Sequence, residues 1–167
     1  MDAYLKRRVW WLGDRPVAGM SRPGVSMERR RGKLAADAVD DDVHHLWDAG
    51  FRSIVCLTDT RDQESFENAG FKFLPLPIPD GYPPSVDYVN VFLEFMEEAP
   101  EQTLVHCEGG MGRTGTMLAT ILILEGMSPI EAINEVRKHN PYAIETTVQE
   151  DFLVSLRAAA EENEDAS

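Results

Sequence analysis

Only two cysteines, Cys56 and Cys107, occur in 167 residues, too few for a disulfide-stapled scaffold. No run of 18 apolar residues is present, so no membrane-spanning helix is expected. The opening segment, "MDAYLKRRVWW", lacks the long apolar stretch of a secretory signal. These features lead to the expectation of a cytoplasmic protein with reduced thiols. Basic residues are scarce as well: 16 Lys or Arg stand against 29 Asp or Glu, a net charge of −13. That balance speaks against nucleic acid, whose phosphate backbone is held by excess Lys and Arg. No His, Cys and Asp grouping has the spacing of a metal site, and no internal repeat is visible. The expectation is one domain over residues 1–167, long enough for a real core, a monomer with no metal, no cofactor and no membrane partner.

The scarce positive charge is unevenly placed. Residues 1–33 hold nine Lys or Arg against three Asp or Glu. Arg29, Arg30, Arg31 and Lys33 cluster in what reads as a loop. Such a cluster is either a solvated loop or the rim of a site that draws in anions.

The most informative stretch is His106 to Thr116, "HCEGGMGRTGT". It follows the apolar "TLV" and precedes the apolar "TMLATILIL", so it reads as a strand, a tight Gly-rich loop and a buried helix. A loop of this kind turns backbone N–H groups inward, and the helix adds its positive end, so the concavity suits a tetrahedral dianion. The same field favours a thiolate at Cys107, which makes it a nucleophile. Arg113 offers a planar fork to two phosphate oxygens. Glu108, Gly109, Gly110, Met111, Gly112 and Arg113 are the candidate phosphate-binding residues. Phosphoryl transfer through a cysteinyl-phosphate is the chemistry these residues spell.

The surrounding elements place that loop. "VWWL" and "VAGM" read as short strands joined by "GDRP", and "DDDVHHLWDAG" as a helix with acidic residues at its positive end, stopped at Gly50. "SIVCLT" and "FKFLPLPIP" read as further strands. Ser85 starts a helix whose apolar positions Val86, Val89, Phe92, Leu93 and Met96 keep helical spacing to Pro100. "TLVH" is the central strand. Ser128, Pro129 and Glu131 give a capping box with proline at the first turn of a helix ending near His139. A last helix begins near Thr147 and frays from about residue 160 into an acidic tail. The fold predicted is α/β: a central, mainly parallel sheet of about five strands with helices on both faces. The loop at 107–113 then lies at the carboxyl end of a central strand, where such sheets hold ligands.

"HCEGGMGRTGT" resembles the signature loop of the cysteine-based protein tyrosine phosphatases. With "PIPDGYPPS" upstream and "IETTVQEDF" downstream, the chain is most similar to the small atypical dual-specificity phosphatases and their archaeal and bacterial relatives. The resemblance spans about Trp10 to Phe152. It implies that Asp80 is the general acid that protonates the leaving oxygen. Read from its neighbours alone, Asp80 is a turn former beside Gly81 on a proline-stiffened loop. The resemblance also implies that the Thr114 hydroxyl stabilises the departing thiolate, beside its role as a helix N-terminal residue. It makes His106 a support that orders the loop and helps hold the thiol ionised. Gln149 has two readings: a Thr146–Gln149 capping box, or the side chain that relatives use to place the attacking water. Cys56 reads as a small buried hydrophobe, with a reversible disulfide to Cys107 as the alternative.

The substrate is then a phosphorylated protein or a small phosphoester. The loop carries no lysine, whereas relatives acting on inositol phosphates have basic residues there, which favours phosphotyrosine and also phosphoserine or phosphothreonine of proteins. A phosphatase of small-molecule or inositol phosphates is the alternative. Other enzymes with this Cys-to-Arg spacing, an arsenate reductase or a sulfurtransferase, need no opposed acid. A phosphate-binding module without catalysis needs neither Cys107 nor Asp80.

Overall fold

The computed structural model describes residues 1, 3–25, 36–59, 61–99 and 101–165. The basic stretch at 29–33 and Pro100 lie outside the described residues. The chain runs through one turn of 3-10 helix (Leu5–Arg7), β1 (Trp10–Trp11), β2 (Val17–Ser21), α1 (Ala36–Asp48), β3 (Phe51–Cys56), α2 (Gln63–Asn68) and β4 (Lys72–Pro75). It continues through α3 (Val86–Glu98), β5 (Gln102–Cys107), α4 (Gly112–Leu124), α5 (Pro129–His139) and α6 (Thr147–Asp165).

Strand order is β1-β2-β5-β3-β4, with every pairing parallel except β1 on β2. Alternation along the strands divides the core in two. Ile54 and Leu104 point to one face, where Leu46, Phe51, Phe66 and Phe71 cover them. Val55 and Val105 point to the other, against Phe92, Met117, Leu118 and Leu122. α4 is buried along 11 of its 13 residues, so its apolar run is needed all round. It is the pillar behind the central strand.

The register brings the strand ends to one level. Ser21 and Cys107 are paired across β2 and β5, and Cys56 and His106 across β3 and β5. Residues 22, 57–59 and 108–112 therefore meet at the carboxyl edge of the sheet.

Local signals behave as expected at the helix starts. Ser85 accepts a hydrogen bond from the Tyr88 N–H, and Ser128 with Glu131 forms the capping box with Pro129 in the first turn. Three features differ from the sequence expectation. α2 and the 3-10 turn have no periodic signal, being six and three residues long; Phe66, stacked edge-on against Phe71, anchors the former. The acidic run in α1 begins a full turn inside the helix, and Asp42 is buried there against Arg8 at 2.8 Å and the Gly24 N–H at 2.6 Å. α6 continues to Asp165, through alanines and glutamates that favour helix. No described helix is long and apolar enough to cross a membrane.

Candidate active site

Cys107 ends β5 and is buried at the floor of the loop. Its Sγ accepts a hydrogen bond from the Gly110 N–H at 3.2 Å. That contact needs Gly110 at φ +72°, and a side chain there would lie 2.3 Å from the backbone of Met20. Only glycine fits.

The loop's carbonyls are tied outward. Glu108 O accepts from the Arg22 N–H at 3.1 Å, and Met111 O from the Gly115 N–H at 2.8 Å and the Ile144 N–H at 3.4 Å. Gly110 O accepts from the Trp10 indole at 3.0 Å and the Asn140 amide at 3.3 Å. A trans peptide sets each C=O opposite to the next N–H. The N–H groups of Gly109, Met111 and Gly112 are thereby turned away from these partners, toward the concavity above Cys107. The free N–H groups at the start of α4 add to the same positive field.

Arg113, one residue into α4, is buried. Its Nη1 donates to Ile78 O at 2.9 Å and to Leu57 O at 3.4 Å, which fixes the guanidinium plane across the sheet edge. Nη2 lies 3.0 Å from Asp80 Oδ1, while Nε is buried with no partner among the described residues. Two of the fork's donors can therefore turn to an oxyanion.

Asp80 stands at the mouth, its side chain 88% exposed. Its loop is held at both sides: Leu76 N–H and Ile78 N–H donate to Cys56 O and Leu57 O, and Thr146 Oγ1 donates to Gly81 O at 2.8 Å. Arg113, Asp80, Pro77, Pro79, Thr58 and Glu108 are among the residues lining a cleft of about 530 Å3. Asp80, Arg113 and Glu108, the first residue of the loop after Cys107, thus line one cleft.

Gln149 is fully buried at the start of α6. Its Oε1 accepts from the Glu145 N–H at 2.8 Å and the Thr146 N–H at 3.2 Å, which is the capping geometry. Its Nε2 donates to Tyr82 O at 3.4 Å and abuts Gly112. The side chain joins the loop that carries Asp80, the Cys107–Arg113 loop and the start of α6. Thr114 is buried directly after Arg113, and its Oγ1 has no partner among the described residues.

Burial pushes the His106 imidazole down to about 4, against the opposing bond with Cys107 O at 3.4 Å. With the carbonyl as acceptor, Nδ1 carries the proton. His106 is neutral at pH 7 and adds no positive charge beside Cys107. Cys56 lies beside it on β3, its Sγ 3.4 Å from Thr58 Oγ1 and donating to Asp59 O. Burial raises its thiol, and both cysteines are free.

Three side chains at the site have no signal in the sequence motifs. Arg22 is buried one residue past β2, bound to Asp62 at 2.8 Å and Asp59 at 3.2 Å. Arg61 and then Arg22 hold the Asp59 carboxyl well below the usual range. Trp10 and Asn140 hold Gly110 from outside. Strand order alone would have found Arg22, because β2 lies next to β5.

The chain is similar to known proteins in sequence and in fold. The sequence pattern of a family described as "Swiss Army Knife protein, DSP-PTPase phosphatase domain" matches residues 27–153. The probable protein tyrosine phosphatase type IVA B of Dictyostelium discoideum is 33% identical over 111 residues, 62% of this chain and 66% of that protein. The mouse dual specificity protein phosphatase CDC14B is 35% identical over 99 residues, 59% of this chain and 20% of that protein. The chain thus spans about a fifth of the CDC14-type relatives it matches. Among solved structures, Tk-PTP in its active form gives a TM-score of 0.71 at 28% identity, over 90% of this chain and 97% of that one. The kinase associated phosphatase with serine at its catalytic-site cysteine gives 0.77 at 21% identity, over 91% and 93%, a likeness of fold.

Proposed function

Since the chain belongs to the DSP-PTPase family of protein tyrosine and dual-specificity phosphatases, we propose that it hydrolyses phosphomonoesters through a cysteinyl-phosphate, without a metal ion. Residues 1–167 act as one catalytic domain, a monomer in a reducing cytoplasm. Its substrates are phosphotyrosine and, in the same cleft, phosphoserine or phosphothreonine of proteins.

The cycle has two in-line displacements. Cys107 as thiolate attacks phosphorus while Asp80 gives its proton to the leaving oxygen; the S–P bond forms as the P–O bond breaks. The inward N–H groups of the loop and the Nε and Nη2 donors of Arg113 hold the equatorial oxygens, most strongly in the transition state. Water then attacks phosphorus, Asp80 takes its proton, and Thr114 stabilises the sulfur as it leaves. These fixed donors supply the positive charge that a metal would otherwise bring.

The observation that carries the reading is the 3.0 Å contact of Asp80 with Arg113. It supports the reading by bringing the Asp80 carboxylate within reach of the Arg113 guanidinium. The absence of lysine from the loop and the acidic lining from Asp59 and Glu108 favour protein substrates over inositol phosphates. The test is hydrolysis of para-nitrophenyl phosphate with a chelator present, with and without vanadate, beside Cys107→Ser. Chelator-resistant, vanadate-sensitive turnover that the serine variant lacks is expected. Activity that requires added metal, or survives in the serine variant, overturns it.

A further inference from the structure

We propose that Trp10 is a positioning residue for the phosphate cradle: its indole N–H, with the Asn140 amide, locks the Gly110–Met111 peptide so that the Met111 N–H faces the oxyanion. The inference deepens the phosphatase reading and rests on it.

From sequence, Trp10 looks like a surface or packing residue. It is half-buried on the two-residue edge strand β1, a hundred residues from the loop it touches. Its cross-strand partner is Gly19. A side chain at Gly19 would lie 2.3–2.7 Å from the indole ring, so the ring lies flat over the space that glycine leaves. This seat carries Nε1 to within 3.0 Å of Gly110 O. An unhindered tryptophan at a sheet edge has many rotamers; here one is imposed.

The second donor is equally fixed. Asn140 ends α5, and its Oδ1 accepts from the Tyr142 N–H at 3.2 Å. The other half of the amide, Nδ2, is thereby aimed at Gly110 O. Two donors from different parts of the chain thus converge on one carbonyl. The peptide they hold follows the left-handed residue Gly110, where the backbone turns most sharply. Without them, rotation of that one peptide plane would turn a carbonyl oxygen toward the phosphate in place of an N–H. A misaimed donor of this kind costs mainly in the transition state.

The test compares Trp10→Phe with Trp11→Phe. Phenylalanine keeps an aromatic ring near Gly19 and deletes the donor together with one ring's width of packing. Trp11 stacks on Phe51 in the opposite core, so its variant removes an indole from the same strand without touching the loop. W10F is expected to lower kcat for para-nitrophenyl phosphate about tenfold and to raise the vanadate inhibition constant by a similar factor. KM should change less than threefold, roughly, since the ground state gains less from the cradle. W11F should alter the thermal midpoint but leave kcat and vanadate affinity within about twofold. Adding Asn140→Ala to W10F should deepen the loss to about a hundredfold. The inference fails if W10F stays within twofold of wild type in both readouts. It fails equally if losses in W10F and W11F simply follow their thermal midpoints. A wild-type protein inert to both vanadate and aryl phosphate instead overturns the phosphatase reading and this inference together.

Discussion

Asp80 Oδ1 and Arg113 Nη2 lie 3.0 Å apart, one almost fully exposed and the other buried. The carboxylate therefore occupies a donor that a phosphate oxygen would take. On the proposed cycle, substrate displaces this carboxylate from the guanidinium.

Asp80→Ala separates this competition from the proposed acid role. It should slow hydrolysis of aryl phosphates with poor leaving groups by about 100-fold or more, and those with good leaving groups far less. Orthophosphate should bind the variant more tightly, because the fork no longer has a competing carboxylate. Equal losses across leaving groups in a kinetic series would remove Asp80 from its role. Weaker orthophosphate binding by calorimetry would remove the competition.

Gly110→Ala should inactivate the protein. The φ of +72° costs a side chain at least about 1–2 kcal/mol. The 2.3 Å approach to Met20 adds a backbone clash. Expected are a lower midpoint of chemical denaturation and loss of vanadate binding. A variant that keeps wild-type turnover contradicts the bowl described here.

His106 makes stability pH-dependent. Its folded value, about 4, lies below the unfolded 6.5. The unfolded chain thus binds more protons, and the contribution is complete above about pH 6.5 and lost as pH falls toward 4. The ceiling is roughly 3 kcal/mol. Denaturant unfolding at pH 7, 6 and 5 should show the decline in wild type. The slope should flatten in His106→Asn, and an identical slope in both would assign the effect elsewhere.

Gln149→Ala should lose about 1 kcal/mol of stability through the capping box. Gln149→Glu keeps the acceptor oxygen but sets a buried carboxylate oxygen against Tyr82 O, so it should recover little of that. Only the glutamine donates to Tyr82 O. If it also places the attacking water, both variants accumulate phosphoenzyme in burst kinetics. Breakdown at the wild-type rate in both would leave Gln149 with the capping role alone.

The residues of the bowl were legible because their geometry is local. Cys107 and Arg113 are joined by one strand-loop-helix turn, so spacing and glycine content suffice to place thiol, N–H groups and fork together. The same holds for Ser85 and for Ser128 with Glu131, which satisfy N–H groups within three residues. Asp80 needed the family resemblance, since an Asp-Gly pair between prolines has no local property that marks an acid. Strand order decided the rest. Because β2 and β3 flank β5, Arg22 and Leu57 arrive beside a loop more than forty residues away in the chain. Trp10 reaches Gly110 from the sheet edge through β1, and Asn140 from the end of α5, and no periodicity in the sequence records that meeting. The sequence by itself determined the strand-loop-helix turn that carries Cys107 and Arg113, through short-range backbone geometry. Tertiary packing alone decided how those atoms are aimed, because the hydrogen bonds that aim them join segments that only the assembled sheet brings within 3–4 Å.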